Sequence, residues 1–162
     1  MKKLIGIIGL VGLLMMGCTS SEDEYRYEVN PEEVLSANAG KKKQKSIEQF
    51  ISILYANLFQ KALSADEMIE IRKCVESIGD KELAFEIVVS NLMNRPDVVL
   101  PTDEYMRENM DEFLLDTYKR FFVRLPSEAE KAYMKNFISS DPNISAEMVY
   151  VSFALAEEYQ FY

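Results

Sequence analysis

The side chains able to do chemistry in this chain are carboxylates, a few arginines and two thiols, because its 162 residues include no histidine. Ser-His-Asp triads, Cys-His pairs and nearly all catalytic zinc sites are thereby excluded. No serine is followed three residues later by lysine, so a Ser-x-x-Lys nucleophile is absent as well. Carboxylate-pair hydrolysis needs two acids facing one bond. Glu157 and Glu158 are adjacent, and neighbours on a helix point apart, so a solvated face accounts for them better. Asp141, Asn143, Ser145 and Glu147 alternate like the opening of a calcium loop. Ala146, however, stands where the sharp-turn glycine belongs, and Ser152 where the closing glutamate belongs. A turn at Pro142 followed by a Ser145 helix cap explains the same residues without a metal, and no metal or cofactor is expected.

The opening residues bear on address rather than catalysis. Lys2 and Lys3 precede an apolar and glycine stretch from Leu4 to Met16, followed by Gly17 and Cys18. The stretch is short for a bilayer span and has the anatomy of a cleavable signal peptide, residues 1–17. Its end resembles the lipobox of bacterial lipoproteins, in which a small residue precedes a cysteine that is acylated and becomes the new N-terminus. The resemblance implies a lipid on Cys18 and a membrane as one partner, with Met15 and Met16 departing from the usual Leu and small residue. Two or three acyl chains anchor stably where one does not. Thr19 stands next to the lipid position rather than the aspartate that resembles an inner-membrane retention signal, so outer-membrane delivery is expected. The acidic run Glu22, Asp23 and Glu24 has two readings, a surface-export signal of some Gram-negative lipoproteins or a solvated tether.

Loss of Lys2 and Lys3 with the signal takes the formal net charge from −9 to −11. Such a chain does not seek nucleic acid by electrostatics. One basic cluster, Lys41, Lys42, Lys43 and Lys45, lies just before the first expected helix, either as a solvated linker end or as a weak contact for an anionic surface. Of the two cysteines, lipidation of Cys18 leaves Cys74, which falls on an apolar stripe and reads as a small core residue. Only Gly40 and Gly79 lie beyond the leader, too few for a phosphate-cradling loop.

These residues need elements to hold them, and the elements are helices. Residues 18–45 mix charges, Pro31 and Gly40 without an apolar period and read as a lipidated tether, with at most a short helix near Glu32 to Ala37. Residues 46–162 have the size of one domain. Ser46 with Gln49 forms a capping box ahead of Ile47, Phe50, Ile51, Leu54, Tyr55 and Leu58 at helical spacing. Ser64 with Glu67 opens a second helix, which Gly79 is expected to stop. Asp80 caps a third, Leu83 to Met93, apolar nearly all round and expected to be buried. Pro96 and Pro101 bracket a linker. Thr102, Ser127 with Glu130, and Ser145 then open helices four, five and six.

The second half repeats the first at an offset of 63. Phe50 falls on Phe113, Tyr55 on Tyr118, Phe59 on Phe122, Ser64 on Ser127, Glu67 on Glu130, Val88 on Val151 and Leu92 on Leu155. The expected fold is all-α: two tandem three-helix units, 46–97 and 102–162, packed as one domain because either alone buries too little core.

Tyr118, then Phe122-Val123-Arg124-Leu125-Pro126, then Ala156-Glu157-Glu158-Tyr159 is similar to a helical module of phycobilisome linker polypeptides and extracellular proteins. That module's pattern is a tyrosine helix, Leu-Gly-Arg-x-Pro and a final Ser-x-Glu-Tyr; the glycine and serine are replaced here. The resemblance covers about a third of the chain and implies scaffolding or interaction, not catalysis. At the inter-helix corner, Arg124, matched in position by Lys61, is expected to tie down Glu157 or Glu158, or the carbonyls ending helix four. Tyr159 has two readings, a core ring in register with Leu155 and Met148 or part of a binding surface; Phe161 and Tyr162 lie past that register and are the main binding candidates. Deleting Phe161 and Tyr162 is expected to leave helical content and melting temperature nearly intact while abolishing partner capture. The function expected is a membrane-anchored envelope module that binds a protein or glycan without turning it over; the alternative is an acid-only hydrolase of envelope polysaccharide.

Overall fold

The computed structural model describes residues 34–37 and 39–162. The stretch expected as a signal peptide, Cys18 and the acidic run lie outside the described residues. Among the described residues seven α-helices and one 3-10 turn form an all-α domain. α1 is Ile47–Phe59, α2 Ala65–Ser77, α3 Lys81–Met93, α4 Asp103–Glu108, α5 Met110–Phe122, α6 Glu128–Ser140 and α7 Ala146–Ala154, with the 3-10 turn at Glu157–Gln160. Among the described residues no helix is long and apolar enough to cross a membrane.

The capping chemistry starts the helices where the side chains allow. Ser46 accepts the Gln49 amide at 3.2 Å while Gln49 returns its side-chain oxygen to the Ser46 amide at 2.9 Å, and Ser127 and Glu130 repeat the box on α6. Asp80 accepts the amides of Glu82 and Leu83, Thr102 that of Tyr105, and Ser145 that of Met148. α1 packs on α2 and α3, α5 on α4, α6 and α7, and α3 meets α7 to join the halves. The core runs along α1 and α5, where Phe50, Ile51, Leu54, Tyr55 and Leu58 answer Phe113, Leu114, Tyr118 and Phe121.

The offset of 63 holds for two helices of each half: α5 and α6 begin and end 63 positions after α1 and α2. The left-handed residues that close α1 and α5, Gln60 and Val123, share φ 53° and ψ 31°. In the third helix the register slips. Buried Val88, Val89, Leu92 and Met93 of α3 correspond to Val149, Tyr150, Phe153 and Ala154 of α7, an offset of 61. Val151 and Leu155, expected opposite Val88 and Leu92, are half-buried instead. α7, at 9 residues against 13, begins 65 positions after α3 and ends 61 positions after it, so the shared burial pattern follows the C-terminal ends of the two helices rather than their caps at Asp80 and Ser145.

Four further expectations are corrected. The helix opened by Thr102 stops at Asn109 (φ −122°, ψ 46°), so α4 and α5 are separate. Gly79 is not a left-handed stop; Ile78, in extended conformation, ends α2. Cys74 is exposed, since α2 lies on the outside and buries only Val75. Finally, the stretch expected as the last part of a tether is laid on the domain. Leu35 donates its amide to the Val123 carbonyl at 2.9 Å and accepts that of Leu125 at 3.0 Å; Lys43 and Tyr162 exchange amide bonds at 3.2 and 2.9 Å; and Lys45 donates to Gln160 at 2.8 Å. The strap 34–45, with residue 38 outside the description, is held by backbone pairing at both ends.

Candidate functional site

Arg124 follows the left-handed residue that turns the chain out of α5, and this turn aims its side chain back over the rings of Tyr118 and Phe122, 5.2 and 5.5 Å from their centroids. With 7% of the side chain exposed, its planar head meets two carboxylates. It gives Glu158 two bonds of 2.7 and 2.6 Å, and Glu130 two of 3.1 and 2.7 Å. The Leu125 carbonyl accepts a further bond at 3.1 Å. Glu157, the other expected acid, has no part in this corner; it lines a separate cleft with Glu82, Glu86 and Phe85. The Arg124 guanidinium beside Glu130 holds that carboxyl down to about 2, with the Ser127 amide and hydroxyl helping against burial. Burial pushes the Tyr118 hydroxyl up to about 12.

The first half builds the same corner from different places. Arg95 lies over Tyr55 and Phe59, 5.5 and 4.8 Å from their centroids, and reaches Glu67 at 3.1 Å and Asp97 at 3.2 Å. Glu67 matches Glu130 at the offset of 63, whereas Asp97 matches Glu158 at the slipped offset of 61. Lys61, in the position of Arg124, adds an ammonium to Asp97 at 2.7 Å. In the second half that added ammonium comes from the strap: Lys41 sits 3.6 Å from Glu158 and over the Phe122 ring. Each half thus has two acids and a guanidinium over two rings, tilted against each other in the first half and edge-to-face in the second.

The C-terminal aromatics divide. Tyr159 has no exposed surface; its ring lies 5.6 Å from both Phe50 and Phe121, and its hydroxyl accepts from Asn57 at 3.0 Å. It joins the core and leaves the list of binding candidates. Lys45 lies over this ring at 3.8 Å and donates to the Tyr159 carbonyl. Phe161 is half-buried and Tyr162 is 42% exposed, its hydroxyl bonded to Gln49 at 3.0 Å and lowered in pKa chiefly by Lys43. Both line an open cleft of about 430 Å³ between strap, α1 and α5. Its walls are carbon from Leu35, Ile53, Phe121, Val123 and Phe161, and Lys41, Lys45, Gln49 and Tyr162 bring polar groups to it. Of the lysines expected as a solvated linker end, Lys41 and Lys45 therefore line this cleft, the Lys41 side chain only 6% exposed, while Lys42 and Lys43 are exposed.

The calcium-like alternation forms a turn. Asp141 accepts the Asn143 amide at 2.8 Å, and Ser145 caps α7. Arg107, which the sequence patterns do not single out, spreads its guanidinium over the carbonyls of Ile138, Asp141, Pro142 and Ile144 at 2.7 to 3.2 Å. One turn earlier Asp103 accepts the Ala146 amide at 2.7 Å. α4 thus answers the negative end of α6 with a cation and the positive end of α7 with an anion.

Compared with known protein families, curated proteins and solved structures, the chain matches none.

Proposed function

We propose that the protein is a lipid-anchored outer-membrane module that captures a protein or glycan partner without turning it over, using the cleft bordered by Phe161 and Tyr162. The observation that carries this reading is the division of labour among the side chains. Arg124, Glu130 and Glu158 are consumed by ion pairing, while the apolar cleft beside them stays open. Pockets of this size, with carbon walls and few polar groups, are the usual form of binding sites. The address rests on the lipobox resemblance at Cys18.

Two experiments test the two parts. Radiolabelled palmitate is expected in the wild type and not in Cys18→Ala; equal labelling would remove the anchor. For capture, the lipidated protein is cross-linked in its own envelope beside Ile53→Glu, which puts a charge on the cleft wall, and Tyr133→Ser, which alters an exposed ring outside the cleft lining. A partner lost in Ile53→Glu and kept in Tyr133→Ser is expected. Release of reducing ends from envelope polysaccharide that Glu157→Gln abolishes would instead establish the acid-only hydrolase.

A further inference from the structure

We propose that the occupant of the cleft is an extended protein segment whose apolar side chains are flanked by carboxylates. This rests on the reading of the cleft as the capture surface and names the chemistry of what is captured. Three observations converge. The chain carries net charge −9, yet its one lysine cluster is folded onto this cleft, with Lys41 and Lys45 in its lining and Lys43 over the ring of Tyr162. An ammonium has three donors and a full charge, so an incoming carboxylate shares Lys41 and Lys45 with the groups they already touch. Secondly, Ile53, Val123 and Phe161 offer carbon to an apolar side chain and little to a hydroxyl-rich sugar. Val123 does so from the left-handed turn that closes α5, φ 53°. Thirdly, the cleft is open and bordered by extended backbone, Leu35 pairing with the chain around Arg124 and Gln44 with Phe161. A peptide keeps one side in water naturally, whereas an acyl chain laid there would leave carbon exposed.

The test uses the full-length protein in phosphatidylcholine nanodiscs and three fluorophore-labelled peptides: Asp-Glu-Leu-Phe-Leu-Glu-Asp, the same with lysines for the acids, and the same with serines for Leu-Phe-Leu. Fluorescence anisotropy is expected to show the first binding at least about tenfold tighter than the others, weakening as salt screens the charges. Ile53→Glu, its fold checked by melting, is expected to remove that preference. Equal binding of the lysine or serine peptide would overturn the ligand chemistry and leave the cleft as a capture surface. No binding up to about 1 mM, or binding untouched by Ile53→Glu, would overturn the proposal. If envelope capture also survived Ile53→Glu, the cleft would fall with it. Saturable dodecanoate binding that Ile53→Glu abolishes, without peptide binding, would assign the cleft to an acyl chain and overturn it equally.

Discussion

Arg124 holds two carboxylates with paired bonds, and a buried guanidinium in this arrangement is costly to remove because the acids are left facing each other. Arg124→Met is expected to lower stability by about 2–3 kcal/mol in urea unfolding, less than a fully buried network would lose because both carboxylates keep contact with water. Arg124→Lys should recover under half of this, since one ammonium cannot pair two carboxylates bidentately. Glu130 gives the corner its pH dependence. Its folded pKa of about 2 lies below the ordinary 4.5, so its contribution is present above 4.5 and is lost as pH falls towards 2. Unfolding followed from pH 5 to 2 should show a loss on the order of 1 kcal/mol, after allowance for exposure, that Glu130→Gln lacks; identical slopes would contradict the assignment. Arg124 and Glu158 were legible from the corner and from the Glu-Tyr motif. Glu130 was legible only as a capping residue, because nothing in a capping box announces a second bond. Arg95 was hidden because its partner acid follows the slipped register.

At the level of the helix, the capping residues told most of the story: Ser46, Ser64, Asp80, Thr102, Ser127 and Ser145 all cap as their spacing predicts. What the pattern lacked was geometry. The left-handed turns closing α1 and α5 carry glutamine and valine, so the glycine rule pointed to Gly79 and missed them. A β-branched residue there is strained by about 1–2 kcal/mol, part of which glycine gives back in unfolded-state entropy. Val123→Gly is therefore expected to stabilise the chain by about 0.5–1 kcal/mol while weakening capture, because it removes carbon from the cleft wall. A destabilised variant with unchanged capture would deny the valine that role. The Thr102 cap signals only the start of a helix and not the early stop of α4, since the service of α4 to α6 and α7 runs largely through backbone groups that have no sequence signature. Arg107→Ala should cost about 1–2 kcal/mol and speed amide exchange at Ile144 and Ala146, where α6 hands over to α7.

Across the whole molecule, the strap makes the domain larger than its apolar periodicity. Period finds helices because their buried faces recur, and the segment around Lys43 has no such face: it is attached by backbone bonds to Tyr162 and Gln160, which any residue types can make. The consequence is a changed expectation for Phe161 and Tyr162. As a free aromatic cluster they would be dispensable for stability; as one side of a backbone bridge to the strap they are not. Deleting both removes the two bonds between Lys43 and Tyr162 and the bond from Gln49 to the Tyr162 hydroxyl, and uncovers the core around Tyr159. At about 1 kcal/mol per net bond plus lost apolar cover, the deletion should cost about 2–4 kcal/mol. Phe161→Ala with Tyr162→Ala keeps the backbone pairing and should cost less than half as much. Amide exchange separates the two causes. In the deletion the Lys43 amide loses its acceptor, and if the strap is one cooperative unit the Leu35 amide, bonded to Val123 at the other end, opens with it. In the double alanine variant both should stay protected. Equal stability of deletion and double alanine, with Leu35 protected in each, would mean that the strap is held by its lysines and Leu35 rather than by the closing pair.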